Sequence, residues 1–246
     1  MPRRDDHWSL RVDLAAAFRW FARDDMHEAV ANHLSVAVSP DGARFLINPR
    51  GRHFARVKAS ELLLLDAHDE ATLDRPDAPD PTAWHLHGRL HAKVPAARCI
   101  MHLHSKYATA LACLEDNRMP PIDMNTMRFH GRVAIDDGFA GMALSEGEGD
   151  RVAGLMEPGK TVLLMANHGV LAIGPTVAQA FDELWYFERA AETLITCYGS
   201  GRPLRIVPEE IAALTERQWR DYDGAAQDHL DNVKAILDAE EPDYRQ

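Results

Sequence analysis

Apolar positions at Leu10, Val12, Leu14, Ala17, Phe18 and Phe21 fit a helical face better than strand alternation, predicting a helix over residues 10–21. The pattern then changes. NHLSVAVSPDGARFLINPRG, residues 32–51, carries two β-type runs hinged on Pro40, Asp41 and Gly42, the signature of a hairpin. SELLLL, residues 60–65, is apolar but too short to assign to helix or strand. The Pro- and Asp-rich stretch DRPDAPDPTAW, residues 74–84, is a loop leading to a helix with Thr82 as N-cap, which runs to about residue 92 before Pro95 stops it. ARCIMHLH, residues 97–104, predicts a strand and residues 106–115 a helix. HGRVAID, residues 130–136, alternates as a strand, and a helix follows over 146–156. TVLLMANHG, residues 161–169, predicts a buried strand ending in His168 and Gly169, and VLAIG a second short one. A strongly amphipathic helix covers 176–198, and a helical tail of weaker signal covers 209–239. Strands alternating with helices make this an α/β chain. No repeat, low-complexity tract or linker divides it, so residues 1–208 read as one domain and 209–246 as a tail packed on it or on a neighbouring subunit.

Composition narrows the function. A formal charge of −11 argues against nucleic acid and anionic membranes, both of which select basic surfaces. No run approaches the roughly 18 apolar residues of a membrane helix, and MPRRDDHWSL lacks the apolar core of a signal peptide, so a cytoplasmic protein is expected. Three cysteines, far apart, suggest neither a disulfide framework nor a CxxC metal site, whereas thirteen histidines make imidazole the candidate ligand.

IMHLHSKYATAL concentrates that chemistry. His102 and His104 lie two apart in a strand, on one face and roughly 6–7 Å apart along it. From there two imidazoles can converge on one ion, each at about 2.0–2.1 Å if the ion is zinc. A solvated strand face, or core histidines bonded to carbonyls, would give the same pattern. A third histidine, His168 in MANHGVLAIG, ends an apolar strand with a glycine behind it. Three imidazoles with an open fourth position are the ligand set of a catalytic zinc.

NHLSVAVSPDGARFLINPRG, PTAWHLHGRLHAKVPAARCIMHLHSKY and MANHGVLAIG together resemble the class II aldolase/adducin N-terminal family, over about residues 14–194. The resemblance implies a three-layer αβα fold around a mainly antiparallel sheet. It implies a divalent transition metal, most simply zinc, held by His102, His104 and His168. That ion would grip the carbonyl and hydroxyl oxygens of a small-molecule substrate and stabilise an enediolate. It further implies a homotetramer with active sites between subunits.

The chain departs from the family pattern where an acid/base glutamate belongs, since Ala83 stands there. The same helix offers His87 and His91, four apart on one face, as candidate catalytic groups or a fourth ligand; a surface or capping role is the alternative for each. Of the sugar-phosphate pocket, Asn32 and Ser35 remain, while Asn48, Pro49, Arg50 and Gly51 replace its Thr-Pro-Ser-Gly turn. Asn32, Ser35, Asn48, Arg50 and Gly51 are thus the candidate substrate-binding residues, and Arg50 suits a carboxylate as well as a phosphate. The family tyrosine that protonates the leaving fragment has no clear counterpart; Tyr222 or His229 of a neighbouring chain could reach the site. Two functions follow: a metal-dependent lyase performing aldol cleavage, decarboxylation or dehydration of a small hydroxy-carbonyl compound, or a non-catalytic, adducin-like oligomerisation module.

Overall fold

The structure is a computed structural model and describes residues 7–139, 141–142 and 144–246. The described residues begin with helix α1 (Trp8–Arg23), its Leu14, Phe18 and Phe21 fully buried as the periodicity predicts. The hairpin follows as β1 (His33–Ala37) and β2 (Arg44–Ile47). Its turn places Gly42 at φ +77°, where a Cβ would lie 2.2 Å from the carbonyl oxygen of His91, so glycine is required twice over. Residues 60–65 divide between the short 3₁₀ turn Ala59–Glu61 and β3 (Leu63–Asp66).

Helix α2 (Pro81–Lys93) starts two residues before the expected position. Asp80, not Thr82, is its N-cap: the Asp80 carboxylate accepts from the Thr82 N–H at 2.9 Å, and Pro81 fills the first position, where no N–H is needed. Strand β4 (Cys99–Leu103) leads into α3 (Lys106–Ala112), whose N-terminal N–H groups at Tyr107 and Ala108 donate to Glu188. Helix α4 (Met124–Arg128), a single turn, precedes β5 (Val133–Asp136) and α5 (Glu146–Leu155). The predicted strand 161–169 stops earlier, as β6 (Val162–Met165), and His168 sits in the turn before β7 (Gly169–Gly174). Helices α6 (Val177–Gly199), α7 (Glu209–Asp221) and α8 (Ala225–Glu240) follow, and the 3₁₀ turn Pro242–Arg245 closes the chain.

The strands form one seven-stranded sheet in the order β3-β2-β1-β4-β7-β6-β5, antiparallel except for the β5/β6 pair. One face is covered by α1, α3 and α6, with α8 packed on α1 and α6, and all four share an apolar cluster with Leu34, Met101, Leu164 and Ala172. Fully burying each of Phe18, Phe21, Phe181 and Phe187 there contributes about 1.5–3 kcal/mol. Leu230, Val233 and Leu237 bring α8 into the same cluster. The opposite face is covered by α2 and α5, and the whole is the expected three-layer αβα arrangement. No helix among the described residues is long and apolar enough to cross a membrane.

Strand parity and register place the chemistry. β1 turns His33 and Ser35 toward α2, and its pairing with β4 sets His33 directly opposite His102.

Candidate metal centre

His102, His104 and His168 converge at one end of the sheet. Their candidate ligand atoms all lie within 4.8 Å of one another, with ring centroids 4.8–5.0 Å apart. His102 is on β4 and His104 just past its end. Gly169 allows the close approach of the β6/β7 turn, because a Cβ there would lie 2.6 Å from the Leu103 carbonyl oxygen and 2.9 Å from the His104 ring. Burial pushes His168 down to about 4 and His102 well below the usual imidazole value, with the neighbouring histidines adding to both effects.

The hydrogen bonds fix which nitrogens face inward. His102 Nδ1 donates to the Val170 carbonyl at 3.0 Å, and His104 Nδ1 to the Glu28 carboxylate at 2.6 Å. A carbonyl or carboxylate on the outer nitrogen is the usual support of a metal-binding histidine. The two Nε2 atoms then face each other at 3.1 Å, presenting lone pairs that need a positive partner. Ligands of a tetrahedral zinc stand about 3.3 Å apart by the same bond lengths, so the His102–His104 pair has the spacing of two ligands of a divalent transition ion, and His168 lies within 4.8 Å to complete the set.

Behind this trio runs a row of buried side chains that joins His33, which the sequence did not announce, to the candidates Ser35, His87 and His91. His33, 4% exposed, lies with its ring 4.9 Å from that of His102, and its Nδ1 is 2.7 Å from His87 Nε2. His87 Nδ1 meets Ser35 Oγ at 2.5 Å, Ser35 Oγ meets His91 Nε2 at 2.8 Å, and His91 Nδ1 ends on the Ala97 carbonyl at 2.6 Å. Burial holds His33 down to about 3, His91 to about 4 and His87 well below the usual value, so all three rings are neutral near pH 7.

The expected residues therefore divide. His87 and His91 reach the region of the site, yet both are buried, one layer behind His33. Ser35 does not join Asn32 in a substrate pocket: it is wedged between His87 and His91. Asn32 is buried with its side-chain Oδ1 accepting from the Glu28 N–H at 2.7 Å, while its side-chain Nδ2 has no acceptor among the described residues. Asn48 braces β1 by accepting from Leu34 N–H and donating to the Asn32 carbonyl. Arg50 is exposed, 3.7 Å from Asp80, beside the turn that Gly51 completes at φ +72°. Ala83 packs in an apolar cluster with Phe45, Ile47 and Leu65 and offers no proton carrier. His229 is turned to Asp182 of its own chain at 2.7 Å, and Tyr222 is exposed.

Sequence reading missed His33 and Glu28. Parity alone could have found the first, since His33 and Ser35 share a strand face. On the other flank of His168, Asp136, Phe139, Glu148 and Arg151 border a small recess, with Arg151 forked onto both carboxylates.

Residues 12–195 match the family model described as the Class II Aldolase and Adducin N-terminal domain, and the chain belongs to that family. An aldolase II superfamily protein from Pseudomonas syringae superposes with a TM-score of 0.87 at 28% identity, over 100% of this chain and 97% of that one. Decarboxylase NovR of Streptomyces niveus is 26% identical across 87% of this chain and 81% of its own. Human beta-adducin is 26% identical across 78% of this chain but only 26% of its own length.

Proposed function

We propose that the protein is a metal-dependent lyase that cleaves a carbon–carbon or carbon–oxygen bond beside the carbonyl of a small hydroxy-carbonyl compound. The observation that carries this reading is the pair of inward Nε2 atoms on His102 and His104, whose outer nitrogens are committed to Val170 and Glu28. His102, His104 and His168 would hold a divalent transition ion, zinc first among the candidates, which supplies Lewis-acid polarisation of the substrate oxygens. Around them the chain's own groups divide the work. His33 Nε2 moves the proton, taking it from a hydroxyl or carbon of the substrate and returning it, with His87 and His91 acting behind it rather than on substrate. The unpartnered Asn32 amide and the Arg50 guanidinium take the anionic end of the substrate, and Asn48 and Gly51 shape the turn that carries Arg50. A decarboxylase among the relatives makes hydroxy-keto acids the substrates to try first.

The enzyme works in the cytoplasm as a homotetramer with sites at subunit interfaces. Phe139, Met142 and Leu144, exposed on the loop flanking His168, supply apolar surface for such a contact. A non-catalytic adducin-like module remains the second reading, favoured by Ala83 in the place of an acid/base glutamate.

Elemental analysis separates the two. About one transition ion per chain is expected, followed by turnover in a screen of hydroxy-keto acids and ketose phosphates. Protein that neither carries a transition ion nor binds added zinc overturns the lyase and leaves the module.

A further inference from the structure

The row from Ala97 to His33 admits one arrangement of protons. A backbone carbonyl only accepts, so His91 must carry its proton on Nδ1 to donate to Ala97. With the ring neutral, His91 Nε2 is a lone pair, and the partner 2.8 Å away, Ser35 Oγ, has to donate to it. The hydroxyl has a single proton, now committed. It can meet His87 Nδ1 only as an acceptor, which puts the His87 proton on Nδ1 and leaves Nε2 bare. His33 then donates from Nδ1 to His87 Nε2, and its own Nε2 carries no proton. Each step follows from the one before, beginning at a peptide group that cannot change its role.

We propose that Ser35, His87 and His91 are positioning residues that hold His33 in the tautomer with Nδ1 protonated and Nε2 bare beside the histidine trio. An isolated neutral imidazole has two tautomers of similar free energy, and the wrong one would present an N–H where the reaction needs an acceptor. No carboxylate among the described residues is hydrogen-bonded to a member of the row, so a chain of neutral groups does what an aspartate does in many other sites. Burial protects it: His33, Ser35, His87 and His91 are all at most 4% exposed, and water has little access to offer competing partners. The consequence for turnover rests on the lyase reading, whereas the proton arrangement does not.

The test is the ¹⁵N spectrum of histidine-labelled protein, in which protonated and bare ring nitrogens resonate far apart, assigned by single His→Gln variants. His33, His87 and His91 are each expected as the Nδ1–H tautomer. In Ser35→Ala the acceptor for His87 Nδ1 is gone, and His87 is expected to move its proton to Nε2 and donate back to His33 Nδ1. The His33 proton then appears on Nε2. Ser35→Thr, which keeps a hydroxyl on a strand position, restores the original pattern. On an identified substrate, Ser35→Ala lowers kcat by about 10²-fold or more with KM near wild type, the scale on which a misplaced imidazole proton acts. A wild-type spectrum with the His33 proton on Nε2 overturns the proposal, whether or not the variants fold. So does a Ser35→Ala protein whose His33 keeps its proton on Nδ1. The expected tautomers in a protein without turnover would leave the row standing and remove the lyase reading.

Discussion

Two buried polar clusters lie toward opposite ends of the sheet, and they end differently. At the far end of β6 from His168, Arg128 donates to Asp182 at 2.7 Å and to Glu183 at 2.9 Å, and its guanidinium stacks 4.6 Å above the Tyr186 ring. Arg132 and Thr161 occupy the remaining Glu183 oxygen, and His229 the remaining Asp182 oxygen. Every charge there is answered by another within the chain. The imidazole row and the histidine trio, by contrast, close at their outer ends on Ala97, Val170 and Glu28 and stay open at their inner ends. A cluster whose valences close internally holds the fold, while one left with lone pairs converging on a single point needs a ligand.

The widest break in that comparison comes from removing the open ends. His104→Ala combined with His168→Ala touches two partly exposed side chains, so the fold is expected to survive. Bound transition metal, read by elemental analysis, should fall to background and turnover with it. Wild-type metal content in this double variant would place the ion elsewhere. Next in size is His33→Gln, which keeps a side chain of similar reach but no proton shuttle. Turnover should fall about 10²- to 10⁴-fold, the usual worth of general acid–base catalysis, with metal content unchanged. Retained activity would pass the proton to another group, and Arg151 and Glu148 beside His168 would be examined first.

The closed cluster should respond in the opposite sense. Arg128→Met leaves Asp182 and Glu183 short of their shared partner, and the expected cost is about 3–5 kcal/mol in denaturant unfolding, with metal content intact. Replacing Arg128, Arg132, Asp182 and Glu183 together by apolar residues should recover much of it, since none of these four charges is then left behind. The pH dependence carries the same signature. Burial raises the Asp182 carboxyl, but the His229 hydrogen bond and the Arg128 charge outweigh it and hold the group below the usual value. A depressed carboxyl contributes stability that is complete above its unfolded pKa of about 3.9 and is lost as pH falls through the folded value. Arg128→Met should flatten that acid limb, and an unchanged acid limb would separate Asp182 from Arg128.

Legibility in the sequence followed the range of the physics involved. Helix α1, the β1/β2 hairpin and α6 rest on local periodicity and turn residues, and they stand where the pattern puts them. Helix α4 is a single turn, too short for any period to show. Asp80 takes the N-cap from Thr82 because Pro81 is itself a good first helical residue, a shift of two positions. The convergence of His102, His104 and His168 was readable through strand parity and a recognised motif set. His33 was not read because its significance lies in the β1/β4 register, which pairs it with His102 across the sheet. Ser35 was assigned to substrate through resemblance, and its strand parity with His33 turns it to α2 instead. Glu28 precedes β1 in an irregular segment, where no period could announce that its carboxylate would reach His104.

That carboxylate gives the smallest and most selective test of the contrast. Glu28 is well exposed and makes no contribution to the apolar clusters, so its substitution should move stability by no more than about 0.5 kcal/mol. Its carboxylate accepts the His104 Nδ1 proton, which points Nε2 inward and makes that nitrogen a better donor to a metal. Glu28→Gln keeps an acceptor but removes the charge, and Glu28→Ala removes both. Zinc affinity, measured by competition with a chelator, should fall by about 10-fold in the first and about 100-fold in the second, the range seen for outer-shell partners of metal-bound histidines. The order matters more than either value, because a charge effect alone would make the two variants equal. Equal but lowered affinities would mean that Glu28 acts through its charge alone, whereas unchanged affinities would mean that His104 is oriented by the β6/β7 turn through Gly169 and that the open cluster owes its geometry to backbone approach rather than to Glu28.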